Sequence, residues 1–259
     1  MPLLASDNKA LILAMDHNVV EGNSPGLEDP GRIIDMAAKA GIDGVMTSYG
    51  IIKRYRDRLV DRIPTIMRLD SGPSLFNQDW MAYTEYAQQF SVDDAVALGA
   101  NAVVTNLFMG LPVELETFKI TARVAADCYR TNIPYVVEAL PCASERVPEP
   151  KSGSAMAAAG RLAFERGADY IKSYYTGSIE SFKTVINNCP VPVLIAGGPK
   201  METTEAMLIV VYEAMQAGAS GVIFGRNIWQ NPQPQRVINA LNHIIHNNGS
   251  VSEALAELG

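Results

Sequence analysis

Short apolar segments rich in β-branched residues recur along the chain, and each is bounded by Gly, Pro, Asn or Asp. Several are apolar at every position, which is typical of parallel strands that are covered by helices. The pattern predicts eight strands, at 10–15, 43–47, 64–69, 101–107, 133–140, 169–174, 191–196 and 221–225.

Amphipathic segments with helical spacing lie between these strands. They predict helices at 30–40, 91–98, 112–129, 154–166, 179–187, 203–216 and 234–246. Ser91 and Thr203 stand where a helix N-cap is expected. Glycines follow four of the helices, as is typical of residues that end a helix in the left-handed conformation: Gly41, Gly99, Gly167 and Gly218.

Eight strand–helix units in 259 residues have the length of a (β/α)₈ TIM barrel. We therefore predict an α/β protein in which residues 1–259 form a single barrel domain. A doubly wound parallel sheet is the alternative, but it would usually carry a Gly-rich dinucleotide turn after the first strand. The first strand instead ends in Asp16-His17-Asn18.

Composition narrows the classes of partner. The net charge is −7, and Lys and Arg are dispersed among a larger number of Asp and Glu residues, so neither nucleic acid nor a membrane surface is an expected partner. The N-terminus lacks the features of a secretory signal, and no apolar run approaches the roughly 18 residues of a membrane span, so a cytoplasmic protein is expected. Cys128, Cys142 and Cys189 form no C-x-x-C pair and predict reduced thiols without a metal site.

Lys172 is the only one of eight lysines that lies inside a predicted strand. Because a barrel strand excludes water, an ammonium group there needs a partner, and one interpretation is an ion pair with an inward carboxylate. The other is a Schiff-base nucleophile, since desolvation lowers the pKa of an amine and supplies the neutral form that attacks a carbonyl. The position near the C-terminal end of the strand, where barrel enzymes have their active sites, favours the nucleophile.

Three further candidates lie at strand ends. Asp16 either caps its loop or pairs with Lys172, or else it orients substrate hydroxyls and polarises a carbinolamine. Glu138 interrupts an apolar strand, where it pairs with Lys172 or transfers protons, and the two roles are compatible. His17 follows Asp16 and is weaker evidence by itself.

The seventh and eighth strands end in Gly197-Gly198 and Gly225-Arg226. The barrel fold commonly binds phosphate with the loops after these two strands. Glycines allow close approach of backbone N–H groups, and an arginine adds a bidentate donor, so the four residues predict a phosphate site. Lys200 is expected to be a solvated loop residue.

Other polar residues leave their roles open. Arg68 and Asp70 on the third strand either pair with each other or contact a second polar end of the substrate. Cys142 is interpreted as a loop thiol, and His243 and His246 as surface residues of the last helix.

Four segments carry a family resemblance: Leu-Ala-Met-Asp-His at 13–17, Ile-Lys-Ser-Tyr-Tyr at 171–175, Val-Leu-Ile-Ala-Gly-Gly at 193–198 and Gly-Arg-Asn-Ile-Trp-Gln at 225–230. The chain resembles the archaeal-type class I fructose-bisphosphate aldolases. It is still more similar to their relative, the thiolase that processes phosphorylated autoinducer-2.

The resemblance implies a (β/α)₈ fold, a Schiff base at Lys172, Asp16 as acid or base, a phosphate site at the two glycine loops, and a homo-oligomer. It implies no cofactor. The archaeal-type aldolases carry a tyrosine proton donor in a Tyr-Pro-Arg-Gly motif on strand five, where this chain reads Leu-Pro-Cys-Ala at 140–143. Glu138 instead resembles the strand-five glutamate of tagatose-bisphosphate aldolases, which implies a reassigned proton relay.

Three hypotheses follow. The first is a class I, metal-independent aldolase that cleaves or forms a carbon–carbon bond in a phosphorylated ketose or a related keto compound. The second is a thiolase-like acyl transferase that acts on a phosphorylated diketone with coenzyme A. The third is a non-catalytic phosphosugar sensor, which the retained Lys172, Asp16 and Glu138 disfavour.

Overall fold

The computed structural model describes residues 1–259 and contains a closed barrel of eight parallel strands. Each strand is hydrogen-bonded to its neighbours in the chain, and β1 closes the ring with β8. The strands are β1 Ala10–Ala14, β2 Gly44–Thr47, β3 Thr65–Arg68, β4 Ala102–Met109, β5 Tyr135–Pro141, β6 Tyr170–Tyr174, β7 Val193–Ala196 and β8 Gly221–Phe224. The predicted (β/α)₈ fold is confirmed.

Helices connect the strands around the outside of the barrel. They are α1 Asn18–Glu21, α2 Pro30–Lys39, α3 Tyr49–Arg54, α4 Arg56–Leu59, α5 Val92–Leu98, α6 Glu114–Thr131, α7 Gly153–Phe164, α8 Ile179–Asn188, α9 Thr204–Ala217, α10 Arg226–Trp229, α11 Pro234–Ile245 and α12 Val251–Ala256. None is long and apolar enough to cross a membrane. The seven predicted helices are present, and the short helices α1, α3, α4, α10 and α12 were not predicted.

Local chemistry explains where the helices begin and end. The Ser91 hydroxyl accepts a hydrogen bond from the Asp94 backbone N–H, and the Asp94 carboxylate accepts one from the Ser91 N–H, which completes a capping box before α5. Thr203 caps α9 in the predicted place. Gly99, with φ of 85°, and Gly218, with φ of 107°, end α5 and α9 in the left-handed conformation that favours glycine.

Two apolar cores result from the alternation of side chains along each strand. Side chains that point outward pack against the helices in a large buried cluster. Side chains that point inward fill the barrel in a smaller cluster, which includes Ile12, Ile66, Val104, Val136 and Leu194. On three of these strands the next residue on the same face, toward the C-terminal end, is polar: Arg68, Asn106 and Glu138. A cavity opens at that end of the barrel.

The connection after β3 is the most elaborate on this side of the barrel. Two-residue strands Asp70–Ser71 and Ala87–Gln88 pair in antiparallel fashion, and the 3₁₀ helix Trp80–Ala82 lies between them. The segment extends over the mouth, so that side chains of residues 71–86 line part of the cavity.

His243 and His246 are partly buried, whereas the sequence predicted surface residues. The helix α11 that precedes His246 is also not the last one, because α12 follows it. His246 lies between Asp7 and Asp43, with each carboxylate 2.9 Å from a ring nitrogen. Asp43 also accepts a hydrogen bond of 2.6 Å from the Leu11 backbone N–H at the start of β1. His246 therefore joins the N-terminal segment to the N-terminal end of the barrel.

Candidate active site

A cavity of about 190 Å³ opens at the C-terminal end of the barrel. Its lining includes side chains from β3, β5 and β6 and from the second residue after β1: Asp16, Arg68, Glu138 and Lys172. Each continues the inward-facing alternation of its strand, because the residues two positions earlier fill the barrel interior. The sequence-predicted lysine and carboxylates therefore converge on one site.

Lys172 and Glu138, two of the predicted catalytic residues, are in direct contact. They are paired in register across β5 and β6, and the Lys172 Nζ is 2.8 Å from the Glu138 Oε1. Lys172 is only 6% exposed, so its ammonium group relies on this partner for compensation. The ion pair expected from the sequence is present, whereas Asp16 pairs with Arg68 rather than with Lys172.

Arg68 links three carboxylates in the floor of the cavity. Its Nε is 2.9 Å from Asp16, its Nη1 is 3.3 Å from Asp70 and its Nη2 is 2.6 Å from Glu138. Its Nη1 also donates a 2.6 Å hydrogen bond to the Asn106 Oδ1. The guanidinium group is buried, and its fixed fork holds the carboxylates that follow β1 and β3 and the carboxylate on β5 in defined positions.

These charges set the titration of the site. Burial alone would raise the pKa of Asp16, but the positive charges of Arg68 and Lys172 outweigh it and lower that pKa to about 2. Burial is opposed in the same way at Glu138, where Lys172 and Arg68 hold the pKa below its usual value. At Asp70 burial dominates over Arg68 and raises the pKa to about 6. Glu138 is consequently ionised at neutral pH and can accept a proton.

His17 packs between the ends of β1 and β8. Its ring meets the Trp229 indole edge to face, with centroids 5.4 Å apart, and the Trp229 Nε1 donates to the Ala14 carbonyl. A Cβ on Gly225 would lie 2.5 Å from the His17 ring, so only glycine allows this approach. Burial, with smaller contributions from the charges of Arg226 and Lys172, lowers the pKa of His17 despite the opposing effect of Asp16.

The two glycine loops line the opposite wall of the cavity from β3. Gly197, Gly198, Gly225 and Arg226 all contribute to the lining. Gly198 has φ of 64°, a conformation that side chains disfavour. The Arg226 Nη1 is 3.5 Å from a Glu21 carboxylate oxygen, and its buried Nε has no hydrogen-bond partner.

Two other residues discussed from the sequence lie outside the cavity lining. Lys200 is exposed and donates to the Gln230 carbonyl. Cys142 is buried just after β5, and burial raises the pKa of its thiol to about 12, which leaves the thiol protonated and unreactive.

Several lining residues were missed from the sequence, among them Asn106, Tyr174, Trp80, Tyr83 and Tyr86. Strand alternation would have indicated two of them. Asn106 follows the inward Val104 by two residues, and Tyr174 follows Lys172 by two. The aromatic residues belong to the irregular connection after β3 and follow no such periodicity.

A (β/α)₈ barrel with a buried lysine beside a carboxylate, at the C-terminal ends of the strands, has the arrangement of a Schiff-base enzyme. Comparison with known proteins defines the class further. A family model described as DeoC/LacD family aldolase matches residues 10–231. The chain belongs to this family of aldolases.

Individual relatives agree with this assignment. The chain is 35% identical to an uncharacterized aldolase of Saccharolobus solfataricus, with 98% of this chain and 96% of the relative covered. It is 33% identical to a class 1 fructose-bisphosphate aldolase of Thermoproteus tenax, over 98% of this chain and 95% of that protein.

A solved archaeal fructose-1,6-bisphosphate aldolase, with its catalytic lysine bound to the carbinolamine intermediate, superposes with a TM-score of 0.86. The identity is 33%, and 94% of this chain and 96% of that chain are covered. These relatives are all described as aldolases, which favours the aldolase hypothesis over the acyl transferase.

Proposed function

We propose that the protein catalyses reversible aldol cleavage of a phosphorylated ketose through a Schiff base at Lys172. The observation that carries this proposal is the buried Lys172 Nζ, 2.8 Å from the Glu138 carboxylate at the bottom of the cavity. The names of the relatives support it, since one is a fructose-bisphosphate aldolase and another was solved with a lysine carbinolamine.

The first stage joins enzyme and substrate. Lys172 transfers a proton to Glu138, and its neutral amine attacks the ketone carbon to form a carbinolamine. Glu138 returns the proton to the carbinolamine hydroxyl, which leaves as water, and an iminium remains on Lys172. The 2.8 Å contact allows this exchange without movement of either strand.

The second stage breaks the carbon–carbon bond. A base removes the proton of the hydroxyl two carbons from the iminium carbon, and the adjacent bond breaks to release an aldehyde. The electron pair of the broken bond forms the carbon–carbon double bond of an enamine on Lys172, and the iminium nitrogen recovers its lone pair. Protonation of the enamine carbon and addition of water then release the second product, a ketone, and restore the lysine. We assign the base role to Glu138, because its carboxylate contacts the Lys172 Nζ that carries the iminium, whereas the Asp16 carboxylate pairs with Arg68 and not with Lys172.

We assign the phosphate of the substrate to Gly197, Gly198, Gly225 and Arg226. The unpartnered Arg226 Nε and the left-handed Gly198 support this site, which would hold the substrate in register with Lys172. Asp16 and His17 are assigned to orient the substrate between this site and the lysine.

Trapping with borohydride tests the proposal. Incubation with dihydroxyacetone phosphate and borohydride should add the mass of the reduced donor to the intact protein, because hydride converts the iminium to a stable amine. Lys172→Met should abolish the adduct, while Lys200→Met, which removes a lysine outside the cavity, should form it normally. Absence of an adduct in the unmodified protein with several phosphorylated ketones would exclude a Schiff-base mechanism.

We further propose that the barrel works as a homo-oligomer. Leu115, Tyr129, Val96 and Ile209 are large apolar side chains that stay exposed on the outer helices, and burial between copies would remove them from water. Light scattering coupled to gel filtration measures the assembly, and a monomer at micromolar concentration would contradict this assignment.

A further inference from the structure

The cavity has two chemically different ends. β3 and β7 lie on opposite sides of the eight-stranded ring, so the connections that follow them face each other across the mouth. The glycine loops and Arg226 form one end, beside β7 and β8. The other end, which we call the aromatic end, is lined by Ser71, Gly72, Leu75, Trp80, Tyr83 and Tyr86.

The aromatic end is built on a packed cluster. Tyr86 and Tyr83 contact Phe108 of β4 edge to face, with centroids 5.3 and 6.0 Å away, and Trp80 approaches the same ring at 6.5 Å. The Tyr83 ring lies so close to Gly72 that a Cβ there would be 2.6 Å from it. The wall is therefore held in position by its own packing, and aromatic side chains line this part of the cavity.

No Lys or Arg side chain is available to bind an anion at the aromatic end. The sequence contains no Lys or Arg between Arg68 and Lys119, a stretch that includes the connections after β3 and β4. The charged residues of the connection after β3, up to α5, are all acidic: Asp70, Asp79 and Glu85. The positive charge of Arg68 is already neutralised by three carboxylates, so Arg68 is not available to bind a substrate anion.

The cations of the connection after β5 are placed elsewhere. Arg146 and Lys151 are exposed and do not line the cavity. The Lys151 Nζ lies 5.7 Å from the centre of the Tyr174 ring, and that ring is 3.4 Å from the Cβ position of Gly198. Lys151 thus lies on the side of the glycine loops.

We infer that the aldehyde half of the substrate is uncharged and carries no phosphate. The inference rests on the proposed aldolase function and narrows its substrate class to ketose monophosphates whose phosphate is on the ketone half. Cleavage would break the same carbon–carbon bond and yield a phosphorylated three-carbon ketone and a neutral aldehyde. The aromatic rings would pack against C–H groups of that aldehyde.

The physical reason is the desolvation of a second phosphate. A dianion at the aromatic end would lose water without gaining a cation, because no Lys or Arg other than the already compensated Arg68 lines that part of the cavity. The glycine loops, by contrast, offer Arg226 to the first phosphate. We expect kcat/KM for a ketose 1-phosphate to exceed that for the matching 1,6-bisphosphate at least tenfold.

The test compares fructose 1-phosphate with fructose 1,6-bisphosphate. Both release dihydroxyacetone phosphate, so one coupled reduction assay follows both reactions. Equal or higher kcat/KM with the bisphosphate overturns the inference, as does absence of turnover of the monophosphate. Borohydride trapping with dihydroxyacetone phosphate, run in parallel, distinguishes failure of this inference from failure of the proposed function. If an adduct forms at Lys172 but the bisphosphate is preferred, only the inference is overturned. If no adduct forms, the proposed function is overturned as well.

A paired substitution tests the location. Leu75 lines the aromatic end, whereas its neighbour Phe76 is 91% exposed and does not line the cavity. Leu75→Lys should raise kcat/KM for the bisphosphate relative to the monophosphate at least fivefold, and Phe76→Lys, with the same change of charge, should leave the ratio within twofold. An equal effect of both, or no effect of Leu75→Lys, contradicts the assigned position of the aldehyde.

Discussion

Arg68→Met removes the charge that holds three buried carboxylates together. In the native protein the guanidinium lies within 3.3 Å of Asp16, Asp70 and Glu138, and methionine of similar length would leave these acids facing one another. Lys172 would then be the remaining cation in contact with the group, through Glu138.

The expected loss of stability is large. Breaking a buried ion pair by removal of one partner costs about 3 to 5 kcal/mol, because an uncompensated charge stays in the interior. The loss should depend on pH. The pKa of Asp16 is lowered to about 2, below its unfolded value, so the stability that Arg68 supplies is present above about pH 4 and is lost as the pH falls toward 2.

Urea denaturation followed by circular dichroism measures the difference at about pH 7, where Asp16 is ionised, and at about pH 2.5, close to its folded pKa of about 2. We expect a loss of about 3 to 5 kcal/mol at the higher pH and a smaller loss at the lower one. The matched control is Arg161→Met, which breaks the exposed pair of Arg161 and Glu165 and should cost less than about 0.5 kcal/mol. A loss below about 1 kcal/mol for Arg68→Met, or one independent of pH, would refute the role assigned to this network.

Three further predictions concern single positions. Glu138→Gln keeps the shape of the side chain and removes its basicity, so kcat should fall about 10²- to 10⁴-fold; a fall below threefold would exclude Glu138 as the proton carrier. Gly198→Ala places a Cβ in the left-handed conformation of the glycine loop, so KM for the phosphorylated substrate should rise more than kcat falls, and an unchanged KM argues against a phosphate there. Hydrogen bonds to Asp43 and Asp7 outweigh the effect of burial and raise the pKa of His246. The stability that protonated His246 gives the fold is therefore complete below about pH 6.5 and declines as the pH rises through the folded pKa. Thermal unfolding should show a larger deficit for His246→Gln at pH 6 than at pH 9, and the reverse order would contradict the ion pairs.

The barrel could be predicted because each of its units is local. The apolar strands, the capping box at Ser91 and the glycine that ends α9 are all set by neighbouring residues in the chain. The convergence of Lys172 and Glu138 followed from the rule that C-terminal strand ends meet at one mouth.

The remaining features depend on long-range contacts. The sequence offered two roles for Arg68 and Asp70, and only the folded positions of β1 and β5 reveal that Arg68 also contacts Asp16 and Glu138. The sequence left the structure of the aromatic end open, because Trp80 and Tyr83 stand in an irregular connection without hydrophobic periodicity. The prediction that His246 is a surface residue was wrong, because its partners Asp7 and Asp43 lie more than 200 residues away and no local pattern indicates such a contact.

Peptide mapping of the borohydride-trapped protein tests the central claim most directly. Of the eight lysines in the chain, the account predicts that reduction in the presence of dihydroxyacetone phosphate modifies Lys172 alone. The same digest of the Lys172→Met variant should contain no modified peptide. Modification of another lysine in place of Lys172, or aldol cleavage at an undiminished rate by Lys172→Met, would contradict a Schiff base at this position.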